Sequence, residues 1–355
     1  MHDVAVVGAG PAGSGLARAL SREGHEAVVL ERGEVGRPLA CSGHVSDEVW
    51  RHLPDGARDD LLQNEIRGAR FHVDGHSYEF YRDETVSYVV DRVELDRTLA
   101  RDAERAGAEI RTETEVRDVV EHDDHVALDT TAGDVRARYV AGCDGPRSTV
   151  RDALGLPGPR ERLHGVLGFA DERDTGDFVD VYLDAPDFFG WRIPRGDDVE
   201  YGVACRERPR EAFDSLFDVE IESLCAGAIP IGPPERTVTE RGFLVGDAAA
   251  QTKPFTGGGI VYGLTAAETA ASAFEAEDPA WLAEYERDWR RELEREISLG
   301  MKIRHAWRAP ARVQRLALRL FEGEIQVHMD RPSTLFNRAT ARRVLANAVG
   351  RQGSR

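Results

Sequence analysis

Lysine is nearly absent from this chain of 355 residues. Only Lys253 and Lys302 are lysines among 46 basic residues, and 64 acidic residues give a net charge of −18. In molar salt the Debye length falls to about 3 Å, so like charges on a protein surface hardly repel one another. The composition therefore favours adaptation to high salt. A GC-rich genome, which favours arginine codons, is the alternative.

Cysteine and long apolar runs are also scarce. The four cysteines form no C-x-x-C pair, and the 11 histidines show no metal-like spacing, which argues against a disulfide framework and a metal site. No stretch reaches the roughly 18 uncharged apolar residues that a membrane-spanning helix needs. The N-terminus enters a strand without a basic leader, so we expect a cytoplasmic protein with no secretory signal.

A glycine-rich turn joins the first predicted strand to the first predicted helix. Residues 3–7 form an apolar run, residues 11–23 have a helical pattern, and residues 27–30 are apolar again. This order predicts a βαβ unit with two parallel strands. The turn, residues 8–13, reads Gly-Ala-Gly-Pro-Ala-Gly and so matches the G-x-G-x-x-G fingerprint in the context that it requires.

Each glycine of the fingerprint has a physical role. Gly8 permits the tight turn, Gly10 lets the backbone approach a pyrophosphate, and Gly13 lets the helix pack closely on the strand. The N–H groups at the start of the helix attract the phosphates. Glu31 ends the second strand, where its carboxylate can accept hydrogen bonds from ribose hydroxyls. The motif therefore predicts dinucleotide binding.

Two later segments favour FAD over NAD. The first, residues 142–145, reads Gly-Cys-Asp-Gly at the end of an apolar strand. In the second, residues 243–260, Asp247 follows an apolar strand and can hydrogen-bond the ribityl chain of FAD. Three glycines then begin a helix, which can direct its N–H groups at the pyrimidine edge of a flavin. An NAD-only dehydrogenase has no use for this arrangement.

The remaining patterns indicate an α/β protein of the glutathione-reductase-like flavoprotein class. We predict a Rossmann FAD-binding domain, an inserted and mostly antiparallel β-sheet substrate domain, and a C-terminal helical region. The predicted boundaries are 1–55, 91–160 and 232–275 for the FAD-binding domain, 56–90 and 161–231 for the substrate domain, and 276–355 for the helical region.

These segments, with residues 91–96 (Asp-Arg-Val-Glu-Leu-Asp), resemble the flavoprotein family of aromatic hydroxylases and geranylgeranyl reductases over about residues 1–275. The closer resemblance is to the archaeal geranylgeranyl reductases, the digeranylgeranylglycerophospholipid reductase-like group. Residues 246–263 resemble that group's G-D-A-A…P-x-T-G-G-G-I run. The resemblance implies that FAD is bound by Gly8, Gly10, Ala12, Gly13, Glu31, Arg32, Ser42, Gly43, Arg92, Val116, Asp247, Gly258, Gly259 and Ile260.

Cys41 is the candidate catalytic residue. The Cys41-Ser42-Gly43 run resembles the cysteine–glycine segment that this group carries near the flavin. The resemblance implies that the thiol donates a proton to the substrate or shapes the pocket. A small buried thiol can also be simply a compact apolar group.

Residues 186–194 resemble the group's P-x-x-Y-x-W-x-F-P substrate motif. Pro186, Trp191 and Pro194 match, whereas Phe189 stands where tyrosine is usual and Ile193 where phenylalanine is usual. Phe189, Trp191 and Ile193 are therefore the predicted substrate-binding residues, suited to lining a channel for a greasy chain. The lost hydroxyl removes one polar contact with the substrate.

The resemblance implies an FAD-dependent reductase that saturates double bonds in prenyl chains of archaeal membrane lipids or related isoprenoids, with a menaquinone side chain as a rival substrate. The chain has no second G-x-G-x-x-G, so we expect an external electron donor: ferredoxin, a reduced deazaflavin or NADPH. The alternatives are an FAD-dependent monooxygenase of an aromatic or quinone, and a flavin-binding protein without turnover. The aromatic motif also resembles that of flavin-dependent halogenases, but neither lysine suits their essential one.

The C-terminal part of the chain has the opposite charge to the rest. Residues 297–355 hold twelve basic and three acidic side chains, a net charge of +9 against −27 for the remainder. At helical spacing, one face would carry five arginines: Arg304, Arg308, Arg312, Arg315 and Arg319. Pro310 lies within this stretch and is expected to kink the helix or to start a new one. A basic amphipathic helix predicts peripheral contact with anionic lipid on the inner membrane face. The alternative is that these arginines pair with carboxylates of the acidic body. We expect no nucleic-acid partner.

Overall fold

The computed structural model describes residues 1–39, 41–324 and 328–336. The strands are β1 (His2–Val7), β2 (Ala27–Leu30), β3 (His44–Val45), β4 (Leu62–Ile66), β5 (Gly68–Val73), β6 (His76–Tyr81), β7 (Ser87–Val90), β8 (Glu109–Arg111), β9 (Val116–Glu121), β10 (Val126–Thr130), β11 (Val135–Gly142), β12 (Glu161–Ala170), β13 (Phe178–Tyr182), β14 (Phe189–Pro194), β15 (Val199–Cys205), β16 (Cys225–Ile231), β17 (Gly242–Leu244) and β18 (Gly323–Glu324). The α-helices are α1 (Pro11–Arg22), α2 (Ala57–Leu61), α3 (Arg92–Ala106), α4 (Thr149–Ala153), α5 (Pro209–Leu216), α6 (Ile260–Ala273), α7 (Trp281–Trp307) and α8 (Ala311–Phe321).

The first sheet is built on the predicted βαβ unit. Its strand order is β8-β2-β1-β11-β10-β9, and β17 also pairs with β11. The pairs β1–β2, β1–β11, β2–β8 and β11–β17 are parallel. Parallel strands end at the same edge, so the glycine turn after β1, Glu31 after β2, and Asp247 after β17 come together there.

The second sheet has eight strands in the order β16-β12-β15-β14-β13-β5-β6-β18. Its pairs are antiparallel except β13–β5 and β6–β18. A third, smaller sheet has the order β3-β7-β4 and is antiparallel. The structure is thus a mixed α/β fold, as predicted. The second sheet draws strands from four regions: residues 68–81, 161–205, 225–231 and 323–324.

Helices α1, α6 and α7 cover one face of the first sheet. An apolar stripe at intervals of four residues runs along α7, and its Trp281, Tyr285 and Trp289 are almost fully buried in the same core as Tyr139 and Phe243 of the sheet. The Tyr285 hydroxyl donates to the carbonyl oxygen of Leu244 at 2.7 Å. This core holds β17, and with it the segment that carries Asp247, in place.

Two details differ from the sequence predictions. The three glycines at 257–259 precede α6 and lie outside it, because α6 begins at Ile260. The five arginines of the C-terminal region do not share one continuous helical face, because the chain leaves the helix after Trp307 and α8 begins only beyond Pro310. Proline has no N–H to donate and its ring clashes with the preceding turn, which explains the break.

Several of these arginines pair with carboxylates of the acidic body. Arg304 is buried and contacts Glu161 at 2.6 and 2.8 Å, Arg308 contacts the same carboxylate at 3.0 Å, and Arg315 contacts Asp74 at 2.9 Å. Among the described residues, no helix combines the length and the apolar composition needed to cross a bilayer.

Candidate active site

The glycine turn leaves backbone N–H groups open to a cleft. Gly8 has a φ of +99°, and a Cβ on Gly13 would lie 1.9 Å from the carbonyl oxygen of Gly8, so both positions require glycine. A Cβ on Gly10 would meet nothing within 4 Å. Gly10 is also the N-cap of α1, where no side chain caps the helix. The first N–H groups of α1 therefore face open space with the positive end of the helix dipole behind them.

This cleft has a volume of about 740 Å³. We call it the dinucleotide cleft, and of the predicted cofactor-binding residues it is lined by Gly8, Gly10, Glu31, Arg32, Arg92, Val116 and Asp247. The Glu31 carboxylate accepts the Ala9 N–H at 2.8 Å and the Gly33 N–H at 3.2 Å. Glu31 thus fixes the turn and presents its carboxylate at the end of β2.

Arg92 and Cys41 meet where the dinucleotide cleft ends. Arg92 is the first residue of α3, and its guanidinium hydrogen-bonds Asp96 one turn later. Burial disfavours the charge, but Asp96 and the Cys41 thiol within hydrogen-bonding reach raise the pKa of Arg92 above its ordinary value. The guanidinium is therefore a fixed positive charge beside the thiol.

Asp247 lies between the turn and the glycine loop that precedes α6. Its Oδ1 is 2.5 Å from the position that a Cβ on Gly259 would take, so the loop must be glycine to pass so close. Burial raises the pKa of Asp247 to about 6. Gly259 is the N-cap of α6, and no side chain caps that helix either.

The residues present fit an FAD molecule. The uncapped N-terminus of α1 lies at the dinucleotide cleft, and that of α6 lies at a second cleft that adjoins it. Such helix ends suit a pyrophosphate and an electron-rich ring edge. Among the described residues, Arg92 Nε and Asp144 Oδ1 are buried without a hydrogen-bond partner. Both residues line the dinucleotide cleft. Buried polar atoms are rarely left unpaired, so these two indicate a polar ligand.

A second cleft, of about 440 Å³, opens against the second sheet. We call it the apolar cleft. Phe189, Trp191 and Ile193 all line it from β14, and Phe188 lines it beside them. The two clefts share Gly10, Cys41, Arg92 and Asp247 in their walls. Ala12, Ser42, Gly258, Gly259 and Ile260 also line the apolar cleft.

The two remaining predicted residues support the walls from behind. Gly13 packs under the turn, as its contact with Gly8 shows, and is absent from both linings. Gly43 has a φ of +71°, and a Cβ there would lie 2.4 Å from the carbonyl oxygen of Val90. Gly43 therefore lets the segment that carries Cys41 run against β7.

Sequence reasoning missed a buried network behind Trp191. The indole N–H of Trp191 donates to Glu200 at 2.7 Å, and Glu200 pairs with Arg195 at 2.9 Å. Burial raises the pKa of Glu200 to about 6. Arg195 also donates to the carbonyl oxygens of Ser42 at 2.6 Å and Val90 at 3.2 Å. One guanidinium thus ties the second sheet to the segment that carries Cys41. No motif marked either charged residue.

A second missed group includes Lys253 and His44, which also line the apolar cleft. The Lys253 ammonium is 2.5 Å from Asp330, and both residues are almost fully buried. His44 lines the same cleft and bonds the Ser87 hydroxyl at 2.7 Å. Burial, together with the nearby charges of Lys253 and Arg195, lowers the pKa of His44 to about 4. The imidazole is therefore neutral at pH 7. Within the described ranges, no group of three His, Cys, Asp or Glu could hold a metal ion.

Comparison with known proteins identifies close sequence relatives. The sequence model of the FAD binding domain family matches residues 1–215. The digeranylgeranylglycerophospholipid reductase of Methanothrix thermoacetophila is 31% identical over 341 residues, which cover 85% of this chain and 86% of the relative. That of Methanocaldococcus jannaschii is 29% identical and covers 82% of each chain.

The solved structure of a geranylgeranyl bacteriochlorophyll reductase-like protein from Thermoplasma acidophilum has the same fold. It superposes with a TM-score of 0.81, at 22% identity, over 97% of this chain and 96% of that one. A flavin-dependent halogenase superposes with a TM-score of 0.70 at 20% identity. At such identities the likeness shows the fold and does not choose between reactions.

Proposed function

Because this chain belongs to the family of digeranylgeranylglycerophospholipid reductases, we propose that it uses FAD to saturate double bonds in the prenyl chains of a membrane lipid or of a related isoprenoid. Under this proposal, the second sheet forms the substrate domain and the apolar cleft is the substrate channel. The single observation that carries the proposal is the shared wall, where Cys41, Arg92 and Asp247 face both clefts.

The β14 wall of the apolar cleft suits an apolar substrate chain. Phe189, Trp191 and Ile193 present apolar surface from one strand. Behind the indole, Glu200 and Arg195 are paired with each other. Burial of each methylene group of a prenyl chain contributes about 0.8 kcal/mol. This wall can therefore bind such a chain through apolar contacts and exclude water from it.

Reduced FAD, when bound, supplies the hydride for the reduction of a double bond. The protein must hold the alkene beside the flavin ring, exclude water from the site and provide a proton. Cys41 lies at the junction of the clefts and is the proposed proton donor, with the fixed charge of Arg92 beside its sulfur. Asp247 and the N–H groups that begin α6 are proposed to hold the flavin ring and its ribityl chain.

Electrons are proposed to come from an external carrier: ferredoxin, a reduced deazaflavin or NADPH. The sequence contains one dinucleotide fingerprint, and its residues belong to the cleft that fits FAD. No second fingerprint is left in the sequence for NAD(P)H. Turnover would then depend on transient contact with the donor near the dinucleotide cleft.

The test is an anaerobic single-turnover experiment on the FAD-loaded protein. The flavin is reduced with dithionite, a geranylgeranyl glycerol ether lipid is added, and flavin absorbance and lipid mass are followed together. We expect the flavin to be reoxidised while the lipid gains about 2 Da per bond, as hydride plus proton. A flavin that stays reduced until oxygen is admitted would contradict the reductase and favour a monooxygenase.

A further inference from the structure

A short segment late in the described chain forms part of the apolar cleft. This segment, residues 328–331, is called the strap here. Its Met329 lines the cleft. The next residue, Asp330, is 2% exposed and accepts a hydrogen bond from the Lys253 ammonium at 2.5 Å. The hydroxyl of Ser46 donates to the other carboxylate oxygen of Asp330.

Further contacts hold the strap on both sides of Asp330. The Tyr262 hydroxyl donates to the carbonyl oxygen of Asp330 at 2.6 Å. The imidazole of His328 lies 3.2 Å from Asp47, and the Arg331 guanidinium lies 3.0 Å from Glu48. These partners come from three separate parts of the chain. The side chain of Met329 is therefore presented to the cleft by an anchored backbone.

The choice of lysine at 253 is informative in a chain that has only one other lysine. The side chain of Lys253 packs on the glycine loop, and its Cε would lie 2.8 Å from a Cβ on Gly258. The backbone N–H of Lys253 also donates to the Gly258 carbonyl at 2.9 Å. A planar guanidinium is larger than an ammonium and has less room here. Lys253 thus joins the loop that faces the cofactor to the strap.

The ion pair is almost completely shielded from solvent in the folded chain. The side chains of Lys253 and Asp330 are 4% and 2% exposed. Removing one partner of such a pair leaves an uncompensated buried charge, which is strongly unfavourable. The strap is therefore held closed on the cleft as long as both charges are present.

We propose that the strap determines how much of a prenyl chain the apolar cleft accepts, with Met329 as the specificity-determining wall and the Lys253–Asp330 pair as its positioning contact. The inference rests on the proposed function, because it takes a prenyl chain as the occupant. Methionine is unbranched and flexible and fits irregular apolar space, which suits a wall against a greasy chain.

The first experiment varies the wall. The FAD-loaded parent, Met329→Ala and Met329→Trp are titrated with saturated isoprenoid glycerol ethers of 15, 20 and 25 carbons per chain, and binding is followed by calorimetry. Met329→Ala frees space for one or two more methylene groups. We expect the ratio of affinities for the 25-carbon and 15-carbon chains to rise about tenfold. Met329→Trp is expected to lower the same ratio.

Met301→Ala is the matched control. Met301 packs against a buried cluster that includes Leu163, Phe188 and Ile231, and it does not line the cleft. Its truncation removes the same atoms from a methionine elsewhere, and the chain-length ratio is expected to stay unchanged. Ratios within twofold of the parent for both Met329 variants would overturn the inference.

The second experiment opens the pair. Lys253→Met and Asp330→Asn are treated with thermolysin under native conditions, and cleavage before Met329 is followed by mass spectrometry. We expect at least about tenfold faster cleavage than in the parent, with loss of the chain-length preference. The double variant Lys253→Met/Asp330→Leu carries neither charge and covers the case in which a single variant does not fold. Unchanged cleavage and preference in these variants would contradict the positioning role.

The two proposals fail in different ways. Saturated ethers cannot be reduced, so the binding series tests the strap without turnover. A parent that binds the ethers but reduces no unsaturated lipid contradicts the proposed function alone. A parent that reduces the lipid while every variant keeps the parent's ratio contradicts the strap alone. A parent that binds none of the ethers contradicts both.

Discussion

Trp191 owes its orientation in the apolar cleft to a charged residue that never touches the cleft. Glu200 is fully buried, accepts the indole N–H at 2.7 Å and pairs with Arg195. Replacing Glu200 by Gln keeps an acceptor for the indole but removes the buried countercharge of Arg195, which keeps only its longer contact with the more exposed Asp198 at 3.4 Å among the described residues. Because Arg195 retains carbonyl partners, we expect a loss of about 3 kcal/mol in the free energy of unfolding, the low end for a broken buried pair.

Chemical denaturation of Glu200→Gln measures this loss, and Glu79→Gln is its control. Glu79 also pairs with an arginine, Arg70, at 2.9 Å, but the Glu79 side chain is 56% exposed. An exposed pair contributes about 0–1 kcal/mol. Equal losses in the two variants would show that the buried pair has no special role.

Asp247 gives the apoprotein a characteristic pH dependence. Burial raises its pKa from 3.8 to about 6, so the folded chain holds this proton more tightly than the unfolded chain does. Stability from this group is therefore full below about pH 4 and is lost as the pH rises towards 6. Asp247→Asn removes that loss. We expect apo Asp247→Asn to be more stable than the apo parent by about 1–2 kcal/mol at pH 7.5 and equal to it at pH 4.

The measurement is urea unfolding of the apoproteins at both pH values, with Asp218→Asn as an exposed control. The same substitution is expected to weaken FAD binding, because the proposed ribityl contact changes. A stability difference that does not vary with pH would contradict the burial of this carboxylate.

Cys41 is expected to act in the proton step. Cys41→Ala should reduce the anaerobic rate of lipid reduction about a hundredfold or more, as general acids typically contribute. Cys41→Ser should retain more activity, and lipid binding should be unchanged in both. The control is Cys205→Ala, because Cys205 is buried outside both clefts. A rate within threefold of the parent in Cys41→Ala would leave the thiol as a packing group.

At the scale of elements, local signals predicted local structure well. The strand, glycine turn and helix at 2–22 were predicted to within two residues, because apolar periodicity and a glycine with positive φ act over a few neighbours. The predicted start of α6 was three residues too early. Glycine is a poor helix former, and the glycine loop instead passes close to Asp247 before the helix begins. The sequence marked Pro310 as a kink or as the start of a new helix, and a new helix does begin there, so the five arginines share no continuous helical face.

Helix α8 is the remaining candidate for the predicted membrane contact. Arg304, Arg308 and Arg315 are paired to the body, and the exposed surface of α8 includes Val313 and Leu316 beside Arg312. We propose that this face, rather than a row of five arginines, meets anionic lipid. Val313→Ser/Leu316→Ser should weaken binding to vesicles of phosphatidylglycerol about tenfold.

Vesicle sedimentation in low salt measures this binding, and Val120→Ser is the matched control. Val120 is 47% exposed on β9, in the first sheet. Equal sedimentation of parent, double variant and control would contradict a role of α8 at the membrane. Equal binding to neutral vesicles would contradict the charge contribution of Arg312.

At the scale of the whole molecule, the contacts that complete the site were not predictable. Lys253 and Asp330 are 77 residues apart, and Arg195 and Ser42 are 153 residues apart. Neither pair has a local pattern, because side chains so distant in sequence meet only after the sheets and helices pack. The dinucleotide cleft could be predicted since the glycine turn, Glu31 and Asp247 each follow a parallel strand and so meet at one edge.

The net charge of the whole molecule leads to a prediction about how its thermal stability depends on salt. A net charge of −18 is spread over a chain with very few lysines, and the arginines of the C-terminal helices neutralise only part of it. Screening shortens the Debye length from about 10 Å at 0.1 M salt to about 3 Å at 1 M. If the composition reflects salt adaptation, self-repulsion should destabilise the fold in dilute buffer.

We expect the thermal midpoint of unfolding to rise by about 5 °C or more between 0.1 and 2 M KCl. Sucrose at equal osmolality, which screens no charge, is the control. A midpoint that is independent of KCl, or one that sucrose raises equally, would favour codon usage as the origin of the arginine excess.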